Sequence, residues 1–155
     1  MKILRRLFLV LFILVFISGA FTSGSVLSTS LITFSNDIFQ KLALQKTENT
    51  FISPASIYLA LAMAYNGARG NTQKAMAECL KANHISINEL NRFGKEFMGY
   101  LHSLKNHVII NIANSIWIRH DFRVLPDFIR RNVDSFSALV KNITMNQQGL
   151  RAINQ

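Results

Sequence analysis

Between residues 51 and 72 the chain reads FISPASIYLALAMAYNGARGNT, in which apolar side chains occupy every helical phase instead of one face. Ser53 is placed to cap a helix, and Pro54 suits its first position, where a fixed φ and a missing N–H cost nothing. The pattern predicts a helix over Pro54–Asn66. Because Ile57, Leu59, Ala60, Leu61, Ala62, Met63, Ala64 and Tyr65 reserve no face for water, the helix is expected to run through a protein interior. Gly67 is expected to end it in the left-handed conformation that favours glycine.

The flanking segments are more conventional. Leu31, Phe34, Ile38 and Leu42 recur at intervals of three and four, which predicts a one-faced helix over Ser30–Leu44, with Lys46, Thr47 and Glu48 as its polar exit. Thr72 is placed to cap a short helix ending at Leu80. Ser86-Ile87-Asn88-Glu89 has the Ser-x-x-Glu spacing of a capping box. The helix that follows puts Leu90, Phe93, Phe97, Leu101 and Leu104 on its buried stripe, with Asn91, Arg92, Lys95, His102 and Lys105 toward the other side. From Val108 to Ile118 the period switches to two, predicting a long strand covered on both faces. His120-Asp121 reads as a turn, Pro126 opens a helix through Phe128, Ile129, Val133 and Phe136, and Ala138–Ile143 reads as a second strand.

The first twenty residues stand apart from this pattern. Lys2, Arg5 and Arg6 precede an apolar run from Leu7 to Ile17 and then Ser18-Gly19-Ala20, the layout of a secretory signal peptide cleaved after Ala20. The run is shorter than the roughly 20 apolar residues of a spanning helix, so no membrane association is expected once it is removed. Its loss lowers the net charge of the 155-residue chain from +9 to about +6. The remaining cations are dispersed, which argues against a nucleic-acid partner. Cys79 is the one cysteine, so no internal disulfide can form, and its helical spacing from Ala75 and Met76 suggests a buried thiol.

Taken together, Asn49, Phe51, Ser53-Pro54, Ser56-Ile57, Leu61-Ala62-Met63, Gly67-Ala68-Arg69-Gly70, Thr72, Met76 and Leu80 resemble the amino-terminal part of a serpin. Asn114-Ser115-Ile116-Trp117-Ile118 resembles the second strand of that family's large sheet. Leu125-Pro126-Asp127-Phe128 resembles its following helix, and Ile153-Asn154-Gln155 the start of a further family segment. The resemblance implies an α+β architecture, represented here by a mainly helical amino-terminal portion with a few strands of the large mixed sheet. Residues 1–20 would be the leader and 21–155 an incomplete serpin domain. It also implies that Ser53 and Ser56 sit in the "shutter" where the sheet parts, with Asn49, Pro54, Gly67 and Asn114 as structural members of the same motif. The plain alternative for Ser53 and Ser56 is a helix N-cap and a first-turn residue.

By resemblance the complete molecule is a secreted, extracellular inhibitor of serine or cysteine proteases. A bait loop is cleaved, the protease is held as an acyl-enzyme, and the loop enters the sheet as a new strand. That loop lies beyond Gln155, so this chain taken alone is not expected to inhibit and is expected to aggregate. The chain can equally be a piece of a longer product or a non-functional truncated one, and a non-inhibitory carrier or chaperone is a further alternative.

Other chemistry is thinly represented. His84, His102, His107 and His120 show no metal-ligand or HExxH spacing, and Gly67–Gly70 lacks the Lys-Ser/Thr of a phosphate loop, so no catalytic residue, metal or cofactor is assigned. Arg92, Lys95 and Lys105 lie on the helix that resembles the glycosaminoglycan-binding helix of some serpins. Glu89 and Glu96 dilute that charge, and a solvated amphipathic face is the ordinary reading. Asn142-Ile143-Thr144 is the one N-glycosylation sequon.

Overall fold

A computed structural model describes residues 26–42, 44, 51–104 and 112–154. The chain is helical over residues 26–42 (α1), then forms α2 (Pro54–Tyr65), α3 (Gly70–Cys79), α4 (Ile87–Ser103), β1 (Ser115–Arg119), α5 (Pro126–Phe136), β2 (Leu139–Ile143) and α6 (Gln147–Ile153). α1 is already helical at Val26, ahead of the expected start at Ser30, because Leu27 extends the apolar stripe by one turn and is buried.

The core is built on α2. Tyr58 packs edge-on against Phe34 of α1 at 5.4 Å between ring centres and against Phe93 of α4 at 6.4 Å, an arrangement that aromatic quadrupoles favour. Leu59, Ala62, Met63, Leu80, Leu90 and Met98 close around these rings. Among the described residues the Tyr58 hydroxyl is buried there without a partner, and burial pushes its pKa up to about 12. α1 is fastened to the turn after α3 by Ser30 Oγ, which donates to the Lys81 carbonyl at 2.8 Å, and by a 2.6 Å ion pair between Asp37 and Lys81.

β1, α5 and β2 form a β-α-β unit. The strands pair in parallel from Ser115↔Leu139 to Arg119↔Ile143, with α5 as the crossover that parallel pairing requires. α5 packs on α4 where Gly94 admits the Phe136 ring: a Cβ at Gly94 would lie 2.5 Å from Phe136 Cε1. Ser137 ends α5 in the left-handed region at φ 52°, releasing the chain into β2.

Several sequence expectations need correction. The predicted strand Val108–Ile118 is a strand over Ser115–Arg119, with residues 105–111 outside the described set, and only Ile118 of it is buried, so the described residues do not supply the expected cover on both faces. Thr72 lies inside α3, whose N-cap is Arg69 with no side-chain cap bond. Cys79 is exposed, because α3 turns Ala77 and Leu80 inward instead. α2 is not wholly interior either: Ser56, Ala60 and Ala64 form an uncovered stripe of small residues at four-residue spacing. α6 has no counterpart among the elements that periodicity predicts. It is capped by Asn146, whose side chain accepts from Gly149 N at 2.9 Å.

Candidate functional site

The entry to α2 is built as the sequence predicts. Ser53 is the N-cap with extended backbone (φ −112°), Pro54 follows at the first helical position, and Ser53 Oγ accepts a long 3.4 Å bond from Ser56 N. The two hydroxyls also bond each other at 2.8 Å. One O–H is spent in that bond, which leaves the second O–H and several lone pairs available to a further backbone group.

Ser53 and Ser56 open onto a cleft of about 630 Å³. Leu59, Ala60 and Met63 of α2, Phe97 and Leu101 of α4, and residues 112–115 line the rest of it. Asn114 is therefore brought to the same cleft as the two serines. Its amide serves the framework, since Nδ2 donates to the Phe136 carbonyl at 2.7 Å and so ties the chain entering β1 to the end of α5. The cleft thus combines an apolar helix face, a paired hydroxyl edge and the start of a strand, the surroundings a β-strand needs for its side chains and its backbone.

Gly67 does not belong to this group. It stands at the other end of α2, and its φ is not left-handed; Gly67 N→Ala64 O and Ala68 N→Tyr65 O, both 3.0 Å, carry the chain through a tightened last turn. Its missing side chain serves packing, since a Cβ there would meet the Phe128 ring at 3.1 Å. The positive φ falls on Gly70 instead, at 57°. Asn49 and Lys105 lie outside the described residues.

Arg92 and Lys95 are exposed on α4 and line a groove of about 350 Å³ shared with Arg130, Arg131 and Asp134 of α5. The sequence pattern singles out the first pair and not the second, because only the α4–α5 packing brings them together. Arg130 is also paired with Asp127 at 2.8 Å, which holds that carboxyl below its usual range. Glu89 is likewise held below the usual range, first by the Ser86 hydroxyl, which donates to its carboxylate at 2.7 Å, and then by the Ser86 N–H; the latter bond and Glu89 N donating to Ser86 Oγ are the two halves of the predicted capping box. Asn142 is exposed on β2, with Thr144 exposed just beyond the strand.

One polar cluster has no signal in the sequence. Asn66 Nδ2 donates to Asn91 Oδ1 at 2.9 Å and to Asn132 Oδ1 at 3.0 Å, Asn91 Nδ2 returns a bond to Asn66 Oδ1 at 2.8 Å, and all three side chains are buried. Periodicity places Asn91 toward solvent, but α4 is gripped on two sides, by α2 and by α5, so the position next to Leu90 is interior. The cluster pins the end of α2 to the first half of α4 and the middle of α5.

A family model described as Serpin (serine protease inhibitor) matches residues 29–155. Human neuroserpin is 28% identical over 141 residues, covering 90% of this chain and 34% of that protein. Rat glia-derived nexin is 31% identical over 104 residues, covering 67% of this chain and 25% of its own length. Among solved structures, native protease nexin-1 with heparin superposes with a TM-score of 0.67 at 25% identity, covering 86% of this chain and 35% of that one. The chain therefore spans between a quarter and about a third of the length of these relatives.

Proposed function

The chain belongs to the serpin family, and we propose that it is the shutter-bearing, amino-terminal part of a secreted protease inhibitor that works by strand insertion. The observation behind this reading is the cleft at Ser53, Ser56 and Asn114, an apolar helix face edged with hydroxyls beside the start of a strand. A sheet strand laid there would cover Ser56 and Ala60, part of the small-residue stripe that the described residues leave open. The small side chains let a strand lie close and slide. The Ser53–Ser56 pair supplies a bond that can be exchanged as strands part. Cleavage of a bait loop carried by the longer molecule would then drive its insertion, with the protease still attached as an acyl-enzyme.

The test is the thermal transition of the native polypeptide before and after limited proteolysis of its exposed loop. Insertion of a new strand raises the transition by roughly 10 °C or more. An unchanged transition would assign the protein to carriers or chaperones and end the inhibitory reading. In the same proposal residues 1–20 act as the signal peptide, and the exposed Asn142 carries an N-linked glycan. Glycosidase treatment that leaves the mass of the secreted product unchanged would remove the glycan from the account.

A second reading concerns glycosaminoglycans and rests on the α4–α5 groove, where Arg92 and Lys95 are joined by Arg130 and Arg131. The heparin-bound state of the protease nexin-1 structure, a relative at 25% identity, supports it. Elution from immobilised heparin well above physiological salt, lowered by Arg131→Ala, is the expected result. Elution at or below physiological salt would dismiss it.

A further inference from the structure

A second cleft, of about 340 Å³, opens at the opposite end of α2 from the serine pair. Phe128 and Leu125 of α5's entry, Val124 and Phe122 make its apolar lining, while Gly67 leaves the space beside the Phe128 ring. Two of these side chains are costly to leave in water: Phe122 is 62% exposed and Leu125 69%. Two cations, Arg69 and Arg123, line the same cleft, and among the described residues no carboxylate does. Among the described residues neither guanidinium takes part in an ion pair, in contrast to Arg119 and Arg130, which are matched to Asp121 and Asp127. Arg69 spends one of its donors on the Ala68 carbonyl at 2.6 Å and keeps the others.

From these observations we propose that this cleft is a binding site for a small amphipathic anion, an aromatic or branched hydrocarbon body bearing one carboxylate or sulfonate. The body fills the space against Phe128 and Leu125. The acid head meets Arg69 and Arg123, whose planar donor forks suit a carboxylate. The volume fits a ligand of roughly ten to twenty heavy atoms, at the small end of known ligand cavities. A neutral hydrocarbon would leave both guanidiniums unmatched, and a hydrophilic anion would leave the apolar lining wet, so the site selects for the combination.

The site is separate from the shutter cleft, so protease trapping and ligand binding can fail independently. The test is calorimetric titration of the native polypeptide with 1-naphthoate, alongside the neutral analogue 1-naphthylmethanol. Naphthoate is expected to bind with a Kd below about 1 mM and at least tenfold more tightly than the alcohol. Arg123→Gln, in an exposed loop, is expected to weaken naphthoate about tenfold while leaving the alcohol unchanged. Leu125→Ser is expected to weaken both. Absence of binding at about 1 mM, equal affinity for acid and alcohol, or a naphthoate affinity untouched by both substitutions would overturn the proposal.

Discussion

Replacing Asn66, the residue that closes α2, with leucine should be among the most damaging single changes in this chain. Asn66 makes three hydrogen bonds, at 2.8, 2.9 and 3.0 Å, to two side chains that are themselves buried. Each bond contributes about 1 kcal/mol net, and the substitution also strands the Asn91 amide and the Asn132 Oδ1 away from water, giving a total of about 3–5 kcal/mol. Asn132 keeps its own bond to the Phe128 carbonyl at 3.0 Å, so the loss is not complete. The assay is chemical denaturation of the native polypeptide, reading the shift in midpoint at constant slope. Two of the three bonds join Asn66 to Asn91, so a double-mutant cycle on that pair should show a coupling of about 1–2 kcal/mol. Asn88→Ala, on the exposed side of α4, is the control and should cost less than about 0.5 kcal/mol. A cost below about 1 kcal/mol for Asn66→Leu, or additive effects at Asn66 and Asn91, would show that the cluster does not hold the helices together.

Two glycines of α4 should respond with opposite signs: Gly94→Ala forces a Cβ into the Phe136 ring and should destabilise by about 1–3 kcal/mol, whereas Gly99→Ala meets nothing within 4 Å among the described residues and should stabilise by about 0.5–1 kcal/mol. Equal effects in denaturation would refute the packing described between α4 and α5. Tyr58→Phe removes an unpartnered buried hydroxyl and should leave stability unchanged or raise it by up to about 1 kcal/mol. Because burial raises its folded pKa to about 12, Tyr58 makes stability fall as pH climbs from the ordinary tyrosine range near 10, where the unfolded chain ionises first, toward 12. A spectrophotometric titration should show a late-ionising phase that Tyr58→Phe abolishes. Glu89 is lowered in the folded state, so its contribution is present above its unfolded pKa and lost as pH falls through the folded value. Ser86→Ala should cost about 1 kcal/mol at neutral pH and move the Glu89 carboxyl titration, followed by NMR, back upward; an unmoved titration would mean the cap bond is not formed.

Local chemistry is legible in the sequence wherever one residue type answers one backbone need. Pro54 and Pro126 mark helix starts because few other positions tolerate them, and the capping box at Ser86 and Glu89 forms as its spacing requires. The resemblance carried by residues 49–80 and 114–128 points to the right family and an α+β fold. Failures come where tertiary packing chooses among locally equivalent options. Gly67 could satisfy a left-handed cap or a close contact, and only the position of Phe128 decides for the contact. Left-handed backbone goes instead to Gly70, Lys81 and Ser137, and no composition rule nominates the last two. Periodicity assigns Asn91 to solvent because it assumes one buried stripe per helix, while α4 has two neighbours. The same blindness hides Arg130 and Arg131 from the α4 cations, and Arg69 from Arg123, since each pair is distant in sequence and joined only by folding.

If the shutter cleft serves a protease trap, the native polypeptide incubated with active trypsin-like and chymotrypsin-like proteases should form covalent complexes that a denaturing gel resolves. A band at the summed mass of inhibitor and enzyme that survives boiling in detergent, and is absent when the protease's catalytic serine is blocked, is the predicted result. Cleavage of the polypeptide by every protease with full recovery of free, active enzyme would contradict it.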